Sequence, residues 1–438
     1  MMCQDSQGCG YFLSPAVGSP EETRLTMQAV KSPSNNPKNG QILEQSGLRR
    51  HNLGIIFRAL RDSGPLSRAQ LANATGMTKP GVNNIVDELL ERGLLTQGVE
   101  ESKPERGRPG VLLSINAKAT SIIVIELRAF YTSIITFDLL GQEFYRERTT
   151  TSYNLTPEKR TIEVAPLLER AIQSAARQTS RIAKLIVVFP GIIDAELKVS
   201  SSSLNWEKLE LMQYVKNVVP PSIPIEINTV AKLAAFAEYE YLLKENKSSK
   251  LLMHLELGIT PGIAVVQNGE IQLGANLSMG NIAHISINEH GKLCKCGKIG
   301  CTETEIGFKV LIENTCPDLV KDWSKDSEFY LSEIITRAKN GDEVVFKGID
   351  LIAQSLATTL SILIPILDPD MVILGGYAVR ITDLLIPRLK HHLERKNKDI
   401  TSFSIGTSAL DTDAALFGAC ILAQDELFNS PHSISQPT

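Results

Sequence analysis

Three of the chain's seven cysteines fall within eight residues, in Leu293-Cys294-Lys295-Cys296-Gly297-Lys298-Ile299-Gly300-Cys301, and His284 lies ten residues before the first of them. Three thiolates and an imidazole form a closed tetrahedral set of the kind structural Zn²⁺ takes. His284, Cys294, Cys296 and Cys301 are therefore the candidate ligands. A C-x-C pair and a third cysteine five residues on can face one ion only if the chain turns tightly, and Gly297 and Gly300 supply the backbone freedom for that turn. The alternative is a group of buried or disulfide-bonded cysteines. Such close spacing is poor disulfide geometry, and four ligands are present. Cys3, Cys9, Cys316 and Cys420 are scattered and form no disulfide framework, which points to the cytoplasm.

A second set of residues has the chemistry of nucleic-acid contact. Lys79, Asn83, Asn84 and Asp87 share one side of a predicted helix. Asn suits bidentate contact with adenine, and Lys suits guanine or phosphate. Arg49, Arg50, Arg58, Arg61 and Arg68 precede this helix, and Glu105-Arg106-Gly107-Arg108-Pro109-Gly110 follows it. An arginine held between Gly and Pro is slim enough for a narrow A/T-rich minor groove. Residues 48–110 carry ten Lys and Arg against seven acids, +3 within a chain of net charge −4. That modest excess is consistent with a dimer that sums two half-sites. The candidate DNA contacts are Arg68, Thr78, Lys79, Asn83, Asn84, Arg106 and Arg108. The competing reading is a protein-binding winged helix or a plain charged loop.

The elements that position these residues follow from periodicity. Residues 1–46 are rich in Ser, Pro, Gly, Asn and Gln and are expected to be disordered. Leu53, Ile56, Phe57 and Leu60 mark a helical face that ends before Gly64-Pro65. Ser67-Arg68-Ala69-Gln70 is a capping-box pattern opening a short helix. Thr78 is the expected N-cap of a third, with Pro80 in its first turn, and Val82, Ile85, Val86, Leu89 and Leu90 are its buried face. Leu94–Thr96 and Val111–Ile115 read as the strands of a wing. Residues 47–117 thus form a winged helix-turn-helix. From Ser121, strand and helix patterns alternate: strands at 122–126, 133–138, 184–189, 251–257 and 371–374, helices at 157–178, 231–243, 343–366 and 413–427. That is an α/β body with two lobes facing a cleft. We place one lobe at 118–227, completed by 410–428, and the other at 228–409 with the cysteine loop at 284–301. Residues 429–438 are expected to be a disordered tail. No apolar run reaches the roughly 20 residues of a transmembrane helix, so no membrane partner is expected.

The winged helix ending in Gly107-Arg108-Pro109, the α/β body, and His284 with Cys294, Cys296 and Cys301 together resemble the ROK family of repressors and sugar kinases. Pro190-Gly191, Gly274 through His284, Gly375-Gly376, and Asp413-Ala414-Ala415-Leu416-Phe417-Gly418-Ala419 add to the likeness, which spans about residue 48 to 427. The resemblance implies a two-lobed, actin-like ATPase body with a sugar between the lobes. It also implies a zinc that braces the sugar loop, so that His284 is both a ligand and a pocket residue. Members carrying a DNA-binding module are transcription factors that commonly answer to carbohydrates.

Departures from the pattern weigh against catalysis. Where the family's first phosphate loop reads D-x-G-G-T, the chain has Glu126-Leu127-Arg128-Ala129-Phe130. Without its glycines the turn cannot cradle phosphate, and Arg128 and Phe130 would crowd a nucleotide. The family's catalytic Asp falls on Val230, and no Asp occurs between Asp194 and Asp318 to replace it. Glu303 matches a residue that binds sugar hydroxyls. Asn281 stands where the family has an acid, and Thr229 where it has Asn. Thr229, Asn281, His284 and Glu303 are the candidate effector contacts, in a site either retuned to another sugar or retained only for shape. The expectation is a repressor of carbohydrate genes acting as a homodimer or homotetramer on a double-stranded operator. An ATP-dependent sugar kinase of the same family is the alternative from another class, and a ligand-independent architectural protein is a third.

Overall fold

The computed structural model describes residues 45–99, 111–320, 325–396 and 403–434. Helix α1 (Gln45–Ser63) leads through a two-residue strand β1 (Leu66–Ser67) into α2 (Arg68–Thr75) and α3 (Lys79–Glu91), followed by the wing strands β2 (Leu95–Val99) and β3 (Val111–Ile115). The local signals account for these boundaries. The Ser67 side chain accepts from the Gln70 amide and the Gln70 side chain accepts from the Ser67 amide, closing the capping box. Thr78 caps α3 by accepting from the Gly81 amide. Strands β1, β3 and β2 pair in that order, with Leu95 opposite Ile115. Arg106 and Arg108, and all of the expected tail before residue 45, lie outside the described residues.

The small lobe is built on β4 (Ser121–Leu127), β5 (Tyr131–Asp138), β6 (Glu143–Thr150), β7 (Ile182–Phe189) and, farther on, β11 (Ile225–Thr229), with α4 (Pro157–Gln178) between β6 and β7. The sheet order is β11-β7-β4-β5-β6; Val124 faces Ile135 in antiparallel and Ile186 in parallel pairing. A separate three-stranded sheet, β8 (Ile192–Ile193), β9 (Val199–Ser201) and β10 (Trp206–Leu209), precedes the short α5 (Leu211–Lys216). Every residue of β4 is buried, which its alternation explains. Ile123, Ile125 and Leu127 face a core with Val164, Leu167 and Leu168 of α4. Ile122 and Val124 face the opposite way, as the two-residue period of a strand requires.

That opposite face carries the main architectural result. Its core runs without a break from Ile122 and Val124 through the C-terminal helix α13 (Ala414–Asn429) into Leu53, Ile56, Phe57 and Leu60 of α1, and on to Val82, Ile85 and Leu89 of α3. The Phe57 and Phe428 rings lie 5.3 Å apart. Polar contacts seal the joint. Buried Arg61 donates to Asp62 and Asp425, each at 2.9 Å, with its guanidinium 5.0 Å from the Phe428 ring. Arg58 donates to Asn429, and Arg92 donates to the carbonyls of Pro431 and Ile434. Two expectations need correction here. The tail assigned to 429–438 is ordered through Ile434, which is 2 % exposed, because Arg92 holds its carbonyls and the α1–α3 core takes its side chain. Arg58 and Arg61, read as part of a basic DNA-facing excess, point instead into the body.

The large lobe starts with α6 (Val230–Lys244), then β12 (Leu251–Leu257), β13 (Gly262–Gln267) and β14 (Glu270–Ile271). After the cysteine loop come α7 (Thr302–Ile306), α8 (Phe308–Thr315), α9 (Ser327–Lys339), α10 (Glu343–Leu367), β15 (Met371–Gly376), α11 (Tyr377–Arg380), α12 (Thr382–Lys396) and β16 (Ser404–Thr407). The sheet order is β14-β13-β12-β15-β16, with β12 parallel to β15. Helix α10 is long and apolar enough by composition to cross a bilayer, but half of its most apolar window is buried in this lobe. Helix α6 packs on α13 on one side and on β12 and β13 on the other, and so links the lobes.

Candidate functional site

The cysteine loop is shaped by backbone turns. The Cys294 amide donates to the Lys298 carbonyl at 2.8 Å and the Gly297 amide to the Cys294 carbonyl at 2.9 Å, while Leu293 bridges Ile299 and Ser286 bridges Cys301. Gly297 and Gly300 take positive φ, +88° and +63°. At Gly300 a side chain is excluded by space as well, since a Cβ would stand 1.7 Å from the Asn288 carbonyl oxygen. The result brings the four expected ligands together. One atom from each of His284, Cys294, Cys296 and Cys301 lies within 4.8 Å of all the others. Cys296 Sγ is 3.5 Å from Cys301 Sγ, and His284 Nδ1 is 3.5 Å from Cys294 Sγ. Thiolate and imidazole ligands about 2.0–2.3 Å from a tetrahedral ion stand at about such separations. The cysteines are unbridged, so the donor set fits a metal.

The loop also builds one wall of the cleft. With Nδ1 turned to the cysteines, His284 Nε2 lies 3.4 Å from the hydroxyl of Ser202 in the other lobe, and Lys295 Nζ donates to the Ser202 carbonyl at 2.8 Å. The Glu303 amide bonds the Ala283 carbonyl at 2.9 Å, which ties the start of α7 to the residue before His284. Its Oε1 is 3.8 Å from Lys295 Nζ, and its Oε2 is buried without a hydrogen-bond partner among the described residues. Of the four expected effector contacts, the structure unites His284 and Glu303. Asn281 is exposed in the irregular segment two residues before Ala283, and Thr229 is buried at the start of α6. Ser202 and Lys295 were not anticipated.

At the other end of the cleft, protein occupies the space. The β4–β5 hairpin closes through an Arg128 amide to Tyr131 carbonyl bond at 2.9 Å, and its tip leaves the small lobe. Ala129 and Phe130 are buried in the large-lobe core with Met253, Leu255 and Leu257. The Arg128 guanidinium donates at 2.8 Å both to Glu126 of β4 and to Glu256 of β12, tying lobe to lobe. His254 Nε2 lies 3.3 Å from the second Glu256 oxygen. Burial pushes the Glu126 carboxyl up. Glu256 is also buried, but the guanidinium and His254 outweigh that and hold it at about 2. Val230, at the expected position of a catalytic acid, is 1 % exposed and belongs to the apolar core around α13. The pair Glu256 and His254 was missed in the sequence, although polar residues alternating through Met253-His254-Leu255-Glu256-Leu257 mark one face of a buried strand as charged.

On the recognition module, Lys79, Asn83, Asn84 and Asp87 are exposed along α3. Arg68 reaches across from α2 to Asp87 at 2.6 Å and to the Asn83 carbonyl at 3.2 Å. Its charge is therefore shared with α3 before any phosphate arrives. Thr78 is a cap whose hydroxyl is committed to the Gly81 amide.

The comparisons with known proteins agree with this arrangement. The model of the ROK family matches residues 122–426, and that of the MarR family matches residues 54–107. A xylose repressor of Caldicellulosiruptor bescii is 26 % identical over 396 residues, covering 88 % of this chain and 98 % of its own. The Escherichia coli DNA-binding transcriptional dual regulator NagC is 24 % identical, covering 86 % and 93 %. Among solved structures, a ROK family transcriptional regulator, homologous to the E. coli MLC protein, superposes with a TM-score of 0.67 at 19 % identity over 88 % of this chain and 99 % of that one. A ROK glucokinase from Streptomyces griseus, solved with glucose and AMPPNP, has a TM-score of 0.56 at 19 % identity over 69 % and 98 %. With its family model matching well over half of its length, the chain belongs to the ROK family.

Proposed function

We propose that the chain is a cytoplasmic, sequence-specific transcriptional repressor of carbohydrate genes, a homodimer or homotetramer whose lobes sense a sugar and whose winged helices bind a double-stranded operator. The observation that carries this reading is the unbroken core from α3 through α1 and α13 to α6. The recognition helix is not flexibly tethered; it is packed on the helix that lies against the first residues of the cleft. A ligand that changes lobe closure moves α6 against α13 and so changes the spacing of two recognition helices. Such control requires different affinities for the two lobe arrangements. The nearly full-length likeness to repressors supports the regulatory side.

In this reading Zn²⁺ is held by His284, Cys294, Cys296 and Cys301, and its part is structural. Bound there, it fixes the imidazole so that Nε2 faces the cleft. Glu303 and His284, together with Asn281 and Thr229, bind hydroxyl groups. Phosphoryl transfer is absent: Val230 can neither take a proton nor hold a metal, and Phe130 and Arg128 fill the phosphate position. Lys79, Asn83 and Asn84 read the major groove. Thr78 and Arg68 set the pose of α3, and Arg106 and Arg108 of the wing enter the minor groove.

Footprinting on the chain's own promoter region, with and without a panel of sugars, tests the proposal. A protected site that changes with one sugar is the expected result. Lys79→Ala should weaken binding about equally across sequences, and Arg108→Ala mainly at A/T-rich positions. Absence of any sequence-specific protection at ~0.1 M salt, where nonspecific contacts are partly screened, would sink it. A coupled ATP-consumption assay addresses the kinase alternative; turnover above background would establish it instead.

A further inference from the structure

Helix α10 is apolar on two sides and covered on one. Ile349, Ile352, Leu356, Leu360 and Leu363 face the large-lobe core. On the other side Val344, Leu351, Ile362 and Ile366 are between 39 and 72 % exposed. Ser355 and Thr358, both half-buried, continue the line between them. The Thr358 hydroxyl is spent on the Gln354 carbonyl of its own helix at 3.0 Å, so it asks for no polar partner across this face. The spacing of the six residues puts them on one helical stripe. From 344 to 366, at about 1.5 Å per residue, it runs about 33 Å. A helix that is apolar all round belongs inside a structure, and a contiguous exposed apolar patch marks an interaction site.

The stripe matches itself when turned end for end. About a two-fold axis between residues 356 and 357 of an antiparallel pair, Leu351 meets Ile362 of the second copy and Ser355 meets Thr358, each twice over. The short side chains fall at the axis, where two backbones can approach closely, and the large ones pack on either side. The charges agree. Lys347 near the start of α10 and Asp368 at its end are exposed and lie at similar distances from that axis. An antiparallel pair sets each lysine beside the other copy's aspartate, whereas a parallel pair sets like charges together. The ion pair that Lys347 makes with Glu343, at 3.4 Å, is itself exposed. Two copies closed along about 33 Å of a helix roughly 10 Å across bury on the order of 1,000 Å², where specific interfaces begin. We propose that α10 is the dimer interface of this chain, antiparallel to α10 of a second copy with Leu351 against Ile362. This rests on the homodimer reading above and names its surface. The winged helix is packed on α13, whereas α10 belongs to the large lobe. Such an axis holds two large lobes together and leaves the recognition helices to shift with the small lobes.

Analytical ultracentrifugation of the full chain, of Leu351→Glu, of Ile362→Lys and of the double variant tests it, with circular dichroism to read folding separately. Both positions are exposed in the protomer, so neither substitution should unfold it. Each single variant sets a charge against an apolar side chain twice in the interface. Its dissociation constant, dimer to monomer or tetramer to dimer, should rise roughly a hundredfold or more. In the double variant the two new charges oppose each other across the axis, and the constant should return to within about tenfold of wild type. An equimolar mixture of the two single variants should associate likewise. Single variants that assemble as wild type, or a double variant as dissociated as either of them, overturn the proposal and leave the homodimer reading standing. A monomeric wild type overturns both, and its recruitment to phosphatidylglycerol vesicles would make a membrane surface the occupant.

Discussion

The two ends of the cleft are satisfied in opposite ways. At the hairpin end the protein answers its own carboxylates: the Arg128 guanidinium bonds both Glu126 and Glu256, and Phe130 fills the apolar space beside them. At the cysteine-loop end the Glu303 Oε2 is buried with no hydrogen-bond partner among the described residues. A buried polar atom without a partner costs about 1–3 kcal/mol, and a bound ligand is one of the ways such a cost is removed. The contrast separates a position the protein has closed for itself from one it has left for something else. Fold likeness to kinases cannot draw that line, because both ends lie on the same scaffold. The partners of individual carboxylate oxygens draw it.

The sharpest way to break the comparison is to unmake the wall that stays open. Cys294→Ser removes one of the four donors proposed to hold zinc, at a site 3 % exposed. Loss of a structural metal belongs among the largest single-residue effects, at least ~4 kcal/mol. We expect zinc content near zero, a lower melting temperature and no sugar response; an unchanged melting temperature with full regulation would show the loop needs no metal. The next largest effect comes from the closed end. Arg128→Ala leaves Glu126 and Glu256 buried without their cation, at a cost of about 3–5 kcal/mol. The triple variant Glu126→Gln, Arg128→Met, Glu256→Gln should recover most of that stability in denaturant titrations. Equal stability of wild type and Arg128→Ala would mean the guanidinium is no tie between the lobes.

These residues also mark how far the sequence could be read. The capping box at Ser67, the Thr78 cap and the limits of α4, α10 and β12 lie in local chemistry, and the structure places them within a residue or two of expectation. The gathering of His284, Cys294, Cys296 and Cys301 was equally legible, because their spacing is short, and the structure brings their donor atoms together. Arg61 and Arg92 were not. Their partners, Asp425 and the carbonyl of Ile434, lie 364 and 342 residues away, and a charge count cannot tell a guanidinium turned to DNA from one turned to a helix. The same distance hid the role of residues 430–434, whose composition reads as a tail until α1 and α3 are placed beside it. Arg128 was legible as an obstacle to nucleotide but not as a tie, since Glu256 belongs to the other lobe.

A third test concerns the path between the cleft and the winged helix. Glu240, on α6, faces Asp425 of α13 near Arg61, and burial followed by the Asp425 charge pushes its carboxyl up to about 7, with Lys244 and Arg61 opposing. An acid raised in the folded state contributes its stability below its unfolded value of 4.5 and loses it as pH rises through about 7. Glu240→Gln should therefore match wild type near pH 4 and exceed it at pH 8, by up to ~2 kcal/mol after allowance for partial exposure. Melting curves across that range check it, and a variant no better at pH 8 than at pH 4 would count against a strained joint there.

The smallest stability effect carries the most about function. If Glu303 is kept for a ligand, Glu303→Gln should leave the unliganded protein as stable as wild type or more so, by about 1 kcal/mol, because it removes a carboxylate whose Oε2 has no partner and whose Oε1 has only Lys295 at 3.8 Å. Arg128→Ala at the other end should do the reverse, destabilising the protein without creating a site. For carbohydrate the order inverts: charged acceptors hold hydroxyl groups about twice as strongly as neutral ones, so Glu303→Gln should cut sugar affinity at least tenfold. Denaturant titration and calorimetry on the same two variants supply all four numbers. A Glu303→Gln protein that is clearly less stable than wild type, and binds sugar as before, would place Glu303 among the structural carboxylates with Glu126 and Glu256, and the two ends of the cleft would no longer differ in kind.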